Sequence, residues 1–183
     1  MRVLGLCGSL RSGSYNRRLL EAAGAHLAGD AIFDIYEGLA DVPPYDEDLD
    51  DTPAAVSALR TAIDEADAVL VATPEYNSSL PGLLKNALDW VSRPFPDNAL
   101  RAKPTAVVGA STGLFGAIWA QAETRKVLNA IGADVLDTEL PVGQAHNAFS
   151  AQGNIIDPDV HAALAHLVDQ LLSMTNPPAS VPI

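Results

Sequence analysis

Residues 68–73 read A-V-L-V-A-T, an apolar run too short for a helix and without the polar alternation of a half-exposed strand. Such a strand needs cover on both faces, the situation of an interior strand in a parallel sheet. Further strands are read at residues 2–7, 32–36, 105–110 and near 135–140. Between them fall helical stretches at 16–27, 53–66 and 81–91, a long one ending at 131, and a last one at 157–174. Within the first helix Leu19, Leu20, Ala23 and Leu27 share a face, and Asn16 or a near neighbour is expected to cap it. Pro53 suits the first turn of the second. Strands alternating strictly with helices, with no internal repeat, predict a doubly wound α/β sheet with right-handed crossovers. At 183 residues, 48% of them hydrophobic, the chain is expected to form one domain over residues 1–175. The tail at 176–183, N-P-P-A-S-V-P-I, is too rich in proline to extend a helix and is expected to be mobile.

Ligands of doubly wound sheets sit beyond the carboxyl ends of the strands, where the winding reverses. The unusual loops of this sequence follow strands one, three and four, at residues 8–15, 74–80 and 111–116. The first, G-S-L-R-S-G-S-Y, has two glycines that let backbone N–H groups turn inward and three serines that add hydroxyl donors. The helix behind it aims its positive end at the same point, so the loop is suited to hold an anion. A formal net charge of −12 and a sequence pI near 4.5 disfavour nucleic acid and anionic membrane as partners, and a bound anion must be gripped locally.

Several anion sites are excluded by spacing. Gly5, Gly8 and Gly13 do not form the G-x-G-x-x-G of dinucleotide folds, and no acidic residue ends strand two where a ribose would need it. No lysine stands in the loop, so it is not a nucleoside triphosphate P-loop. Cys7 and Arg11 are two residues too close for a phosphatase loop, and a buried structural thiol suits Cys7 better. Cys7 is the only cysteine, which excludes an internal disulfide and a thiolate metal cluster and suits a reducing cytoplasm. His26, His146, His161 and His166 have no partners at metal-ligand spacing, so no metal is expected. No leader and no run long enough to cross a bilayer are seen, so a soluble, cytoplasmic protein is expected. A monophosphate on a larger ligand remains.

Three segments carry a resemblance: G-S-L-R-S-G-S-Y-N at 8–16, P-E-Y-N-S-S-L-P-G-L-L-K-N-A-L-D-W at 74–90, and G-A-S-T-G-L-F-G at 109–116. Together they closely resemble the NADPH-dependent FMN reductase family of flavodoxin-like proteins, which includes quinone, chromate and azo reductases. The likeness runs in order over residues 2–142, and P-P-Y-D-E-D-L at 43–49 is similar to the family's second-strand loop. Ser78 stands where many members carry glycine or a larger residue, and Thr112 where many carry proline. The resemblance implies a five-stranded parallel sheet of order 2-1-3-4-5 with helices on both faces.

By position, Ser9, Arg11, Ser14, Tyr15 and Asn16 match residues that in the family surround the FMN phosphate, a suitable set for a dianion inside an acidic protein. Pro74, Glu75, Tyr76 and Asn77 match the loop that borders the isoalloxazine ring, and Ser111 and Gly113 the third loop, where a small residue lets backbone approach the ring. Glu75 is not read as a general base. The resemblance therefore implies non-covalent FMN, reduced by NADPH or NADH, passing electrons to a quinone or to azo compounds, chromate or free flavin. The flavin carries the chemistry, so no catalytic side chain is expected. The rival is a flavodoxin-like electron carrier without nicotinamide turnover, which the acidity favours. Against it, the phosphate loop is not threonine-rich, and Ser78, Ser79 and Gly82 are small enough to leave the ring face open. A homodimer or homotetramer is implied, with Leu83, Leu84, Leu88 and Trp90 offering an apolar face, although packing on the sheet accounts for part of that stripe. Arg17 and Arg93 are candidates for a coenzyme phosphate.

Overall fold

The computed structural model describes residues 1–27 and 29–175. The proline-rich tail lies outside the described residues. β1 (Arg2–Cys7) leads through the serine loop into α1 (Tyr15–His26), and β2 (Ile32–Ile35) is followed by a 3-10 turn at Gly38–Asp41. Then come α2 (Ala54–Asp64), β3 (Ala68–Ala72), α3 (Gly82–Val91), β4 (Pro104–Ala110) and α4 (Ile118–Ile131). The chain continues through β5 (Asp134–Val135), β6 (Pro141–Val142) and a short α5 (Ala145–Ala148) into α6 (Pro158–Thr175). All pairings are parallel, in the order β2-β1-β3-β4-β5, with β6 also on β4. This is the doubly wound, flavodoxin-like order.

Alternation along the strands separates two cores. Leu4, Leu6, Val69, Val71 and Val107 face α2, α3 and α4, whereas Val3, Cys7, Leu70, Ala106 and Val108 face α1 and α6. Every residue of β3 is buried, as its unbroken apolar run requires.

Three sequence expectations are corrected. The fifth strand is not continuous over 135–140: β5 pairs with Pro104 and Thr105, and β6 with Gly109 and Ala110. Between them the chain leaves the ladder because α4 supplies substitutes. Gln121 Oε1 accepts from the Leu140 N–H at 3.3 Å, and Arg125 pairs with Glu139. Helix α1 starts one residue earlier than its apolar period implied, and of Asn16 and its near neighbours it is Ser14 that caps it, its Oγ accepting from the Arg17 N–H at 3.3 Å. Third, Leu84, Leu88 and Trp90 are not an exposed apolar face. They lie in the core, with Trp90 only 5% exposed, and its indole donates to the Pro43 carbonyl at 2.7 Å. The loop carrying Pro43 and Tyr45 is thereby fastened to α3. Asn86 donates to the same carbonyl and accepts from the Tyr45 N–H, and the Tyr45 ring meets Trp90 edge-on.

Candidate functional site

Because β1, β3 and β4 are neighbours in the sheet, the loops at their carboxyl ends share one rim. A cavity of about 120 Å³ lies there, lined by Ser9, Arg11, Ser14, Tyr15 and Asn16 from the first loop and helix, by Pro74, Glu75 and Tyr76 from the second loop, and by Ala110, Ser111 and Thr112 from the third. It shares Ser9, Arg11 and Tyr76 with a neighbouring apolar trough of about 350 Å³ that adds Gly8, Leu10, Pro81 and Leu83. Nine of the eleven sequence-derived site residues thus line a single cavity. Asn77 and Gly113 do not. Asn77 is exposed at the tip of the second loop with φ +54°, and Gly113 sits beside Ser111, whose Oγ accepts from its N–H at 3.0 Å.

The first loop is rich in unpaired donors. Among the described residues, the backbone N–H groups of Ser9, Leu10, Arg11, Ser12 and Gly13 have no protein acceptor, whereas Gly8 and Ser14 on either side donate to Ala72 and Arg11 carbonyls. Helix α1 adds its free first-turn donors and has no acidic residue in that turn. Ser14 spends an acceptor on its cap but keeps an O–H to donate. The Arg11 side chain is exposed and, among the described residues, makes no hydrogen bond or ion pair, unlike that of Arg17, which is bound to Glu21 and by both terminal nitrogens to Glu37. Arg93 is likewise engaged, with the Tyr45 hydroxyl and Glu47. A free guanidinium beside free N–H groups, in a protein of charge −12, is chemically suited to an anion. Cys7 lies beneath the loop and donates to the Ser9 carbonyl at 3.3 Å, and burial pushes its thiol pKa up. A nucleophilic cysteine would need the opposite shift.

Asn16, a candidate for direct contact with the anion, spends its amide elsewhere. Its Nδ2 donates to the Ala110 carbonyl at 3.0 Å and its Oδ1 accepts from the Ala110 N–H at 2.9 Å, both buried. It joins the start of α1 to the end of β4. Glu75 is half-buried and not free: Oε2 accepts from the N–H groups of Trp119 and Ala120, each at 3.1 Å. Neither role was visible in sequence, since the partners stand 94 and 45 residues away. Tyr15 packs against Phe149, with Arg18 over its ring.

The second loop closes in a tight turn, with Tyr76 and Ser79 exchanging both backbone hydrogen bonds at 3.1 Å. Its central residues Asn77 and Ser78 both have positive φ, the type I′ signature. The third loop is pressed against β6. A Cβ on Gly116, at φ +58°, would stand 2.5 to 2.7 Å from the backbone of residues 141–143, so only glycine fits. Leu114, Phe115 and Trp119 are exposed on its outer side at 68%, 58% and 49%, with Phe115 and Trp119 edge to face.

Comparison with known proteins agrees with this geometry. The family model for NADPH-dependent FMN reductase matches residues 1–147. The chain belongs to this family. An NAD(P)H-dependent FMN reductase of Pseudomonas aeruginosa is 42% identical over 160 residues, covering 86% of this chain and 85% of the relative. A quinone reductase of Escherichia coli strain K12 is 39% identical over 180 residues, covering 93% and 92%. Among solved structures, the flavoenzyme NAD(P)H:(acceptor) oxidoreductase FerB of Paracoccus denitrificans superposes with a TM-score of 0.86 at 36% identity, covering 95% of this chain and 96% of that one. As an FMN reductase family member, the chain keeps all three of its loops on the rim where the cavity lies.

Proposed function

We propose that the protein is an FMN-dependent NAD(P)H oxidoreductase that reduces quinones, and that residues 1–175 form one FMN-binding domain. The observation that carries the reading is the unpaired set in the first loop, Arg11 with the free N–H groups of residues 9–13, beside an apolar trough. The donors suit a phosphate dianion, and the trough of Leu10, Tyr76, Pro81 and Leu83 suits one face of a flat aromatic ring. Residues present at the site therefore fit FMN at both ends.

When bound, FMN supplies hydride acceptance from the nicotinamide and electron delivery to the acceptor. The chain supplies position and electrostatics. Ser9, Arg11, Ser14 and Tyr15 would grip the phosphate, while Asn16 fixes the helix that presents them. The N–H groups of Glu75, Asn77 and Ser78 have no protein acceptor among the described residues and would face the polar edge of the ring. Ser111, Thr112 and Gly113 would form the opposite wall. Glu75, with its carboxylate committed to two N–H groups, is not a proton carrier.

Quinone is the favoured acceptor because a flat, weakly polar molecule suits the exposed Tyr76 and the apolar trough that it lines. Azo compounds, chromate and free flavin are further acceptors to assay. NADPH and NADH are both donors to test. The exposed patch of Leu114, Phe115 and Trp119 supports a homodimer or homotetramer. No described helix is long and apolar enough to cross a membrane. Reduced nicotinamide and a single unpaired cysteine suit a cytoplasmic setting.

The test is direct. Protein incubated with FMN and freed of excess is expected to keep its yellow absorbance, to bleach when NADPH or NADH is added without oxygen, and to regain colour on adding a quinone, with no partner protein present. A protein that does not retain FMN overturns the proposal, and one that retains FMN but is not bleached by either nicotinamide returns it to the carrier class.

A further inference from the structure

We propose that Glu75 is a positioning residue that holds the ring-bordering turn of residues 76–79 in place by capping helix α4. The inference rests on the FMN reading above and assigns Glu75 a task that reading leaves open. Helix α4 begins without a side-chain cap: the Ile118 N–H is met locally by the Phe115 carbonyl at 3.2 Å, but the next two N–H groups have no acceptor within the helix or its cap residue. Its N-cap position is Ala117, in left-handed conformation at φ +61°, with no side-chain acceptor, and its first turn has no acidic residue. The missing acceptor comes from the second loop, where one oxygen of Glu75 takes the N–H groups of both Trp119 and Ala120. A carboxylate there also meets the positive end of the helix.

The other side of the turn is anchored to the same helix, since Ser79 Oγ donates to Glu123 Oε2 at 2.5 Å. Tyr76, Asn77 and Ser78 are thus held between two attachments one helical turn apart on α4. The helix is fixed in turn by buried Gln121, which donates to the Gly116 carbonyl and accepts from the Leu140 N–H. A type I′ turn of Asn and Ser, both forced to positive φ, lacks the glycine that would make it self-sustaining. Its position is therefore set from outside, by α4.

FMN and riboflavin affinities, read by quenching of flavin fluorescence, test this without turnover. Glu75→Ala is expected to weaken both ligands about tenfold and by the same factor, because the phosphate loop is untouched. Glu75→Gln keeps an acceptor oxygen at the same reach and is expected to recover affinity to within about threefold of wild type. Ser79→Ala is expected to cost about threefold, also for both ligands. A folded Glu75→Ala protein with wild-type affinity overturns the inference. So does a loss confined to FMN, which places the effect at the phosphate, or a Gln variant as weak as Ala. Should Glu75→Ala fail to fold, Ser79→Ala and Glu75→Gln decide: wild-type affinity in the first, or wholesale loss in the second, overturns it. Wild-type protein that holds neither ligand refutes the FMN reading itself.

Discussion

Arg11 is the residue on which ligand charge depends, because its neighbours in the chain are already committed. Arg17 is neutralised by Glu21 and Glu37, so it contributes little to an incoming anion. Arg11→Ala is expected to lower FMN affinity by about ten- to a hundredfold, the range for losing a charged hydrogen bond, and to leave riboflavin unaffected. Isothermal titration of the two ligands measures the difference. Lysine at this position is expected to restore only part, since a point charge replaces a planar fork. The Arg17–Glu37 pair has its own signature in pH. Arg17 holds the Glu37 carboxyl below its ordinary value, so the pair stabilises the fold above the ordinary carboxylate range. That stabilisation is lost as pH falls through the lowered value. Both side chains are well exposed, and solvent screening keeps the effect below about 1 kcal/mol. Denaturation of wild type and Glu37→Gln is expected to show a small gap at neutral pH that closes in acid.

At the scale of elements, the site is a set of loops cross-tied by side chains from other loops. Asn16 holds α1 against β4, and truncating it leaves the Ala110 N–H and carbonyl buried without partners. Asn16→Ala is expected to cost about 3 kcal/mol in urea denaturation, with the m-value unchanged. Asp at this position is not expected to rescue it, because its carboxylate would face the Ala110 carbonyl. The second loop offers the opposite test. Ser78 sits at φ +61°, a conformation costly for any residue with a Cβ, so Ser78→Gly is expected to raise stability by roughly 0.5–1 kcal/mol. These elements also show what a sequence discloses. Strands 68–72 and 104–110 were legible because burial on both faces leaves an unbroken apolar run. The three loops were legible because their glycines and serines stand where strands end. The 3-10 turn at Gly38–Asp41 and α5 at Ala145–Ala148 span four residues each, too few for a period to appear. The split of strand five depends on Gln121 and Arg125 reaching across from α4, which no local pattern encodes.

For the molecule as a whole, the sequence misplaced the surface available for assembly. The helical spacing of Leu84, Leu88 and Trp90 fits an outward stripe or an inward one equally well, and the structure turns it inward. Trp90→Ala is therefore expected to destabilise the protomer by about 3–5 kcal/mol, the usual cost of emptying a buried aromatic site. An apolar group that does face solvent lies elsewhere, on Leu114, Phe115 and Trp119 at the third loop and the start of α4. A protomer of charge −12 repels its copies, so association must come from apolar contact strong enough to overcome that repulsion. Two consequences follow for sedimentation at low protein concentration. Salt screens the repulsion and is expected to shift the protein toward the assembled form, the reverse of an interface built on ion pairs. Trp119→Glu places a further negative charge in the patch while leaving the backbone N–H that Glu75 accepts, and is expected to yield monomers that stay folded. Wild-type protein that sediments as a monomer at all salt concentrations would show that this patch is not an interface between copies of the chain.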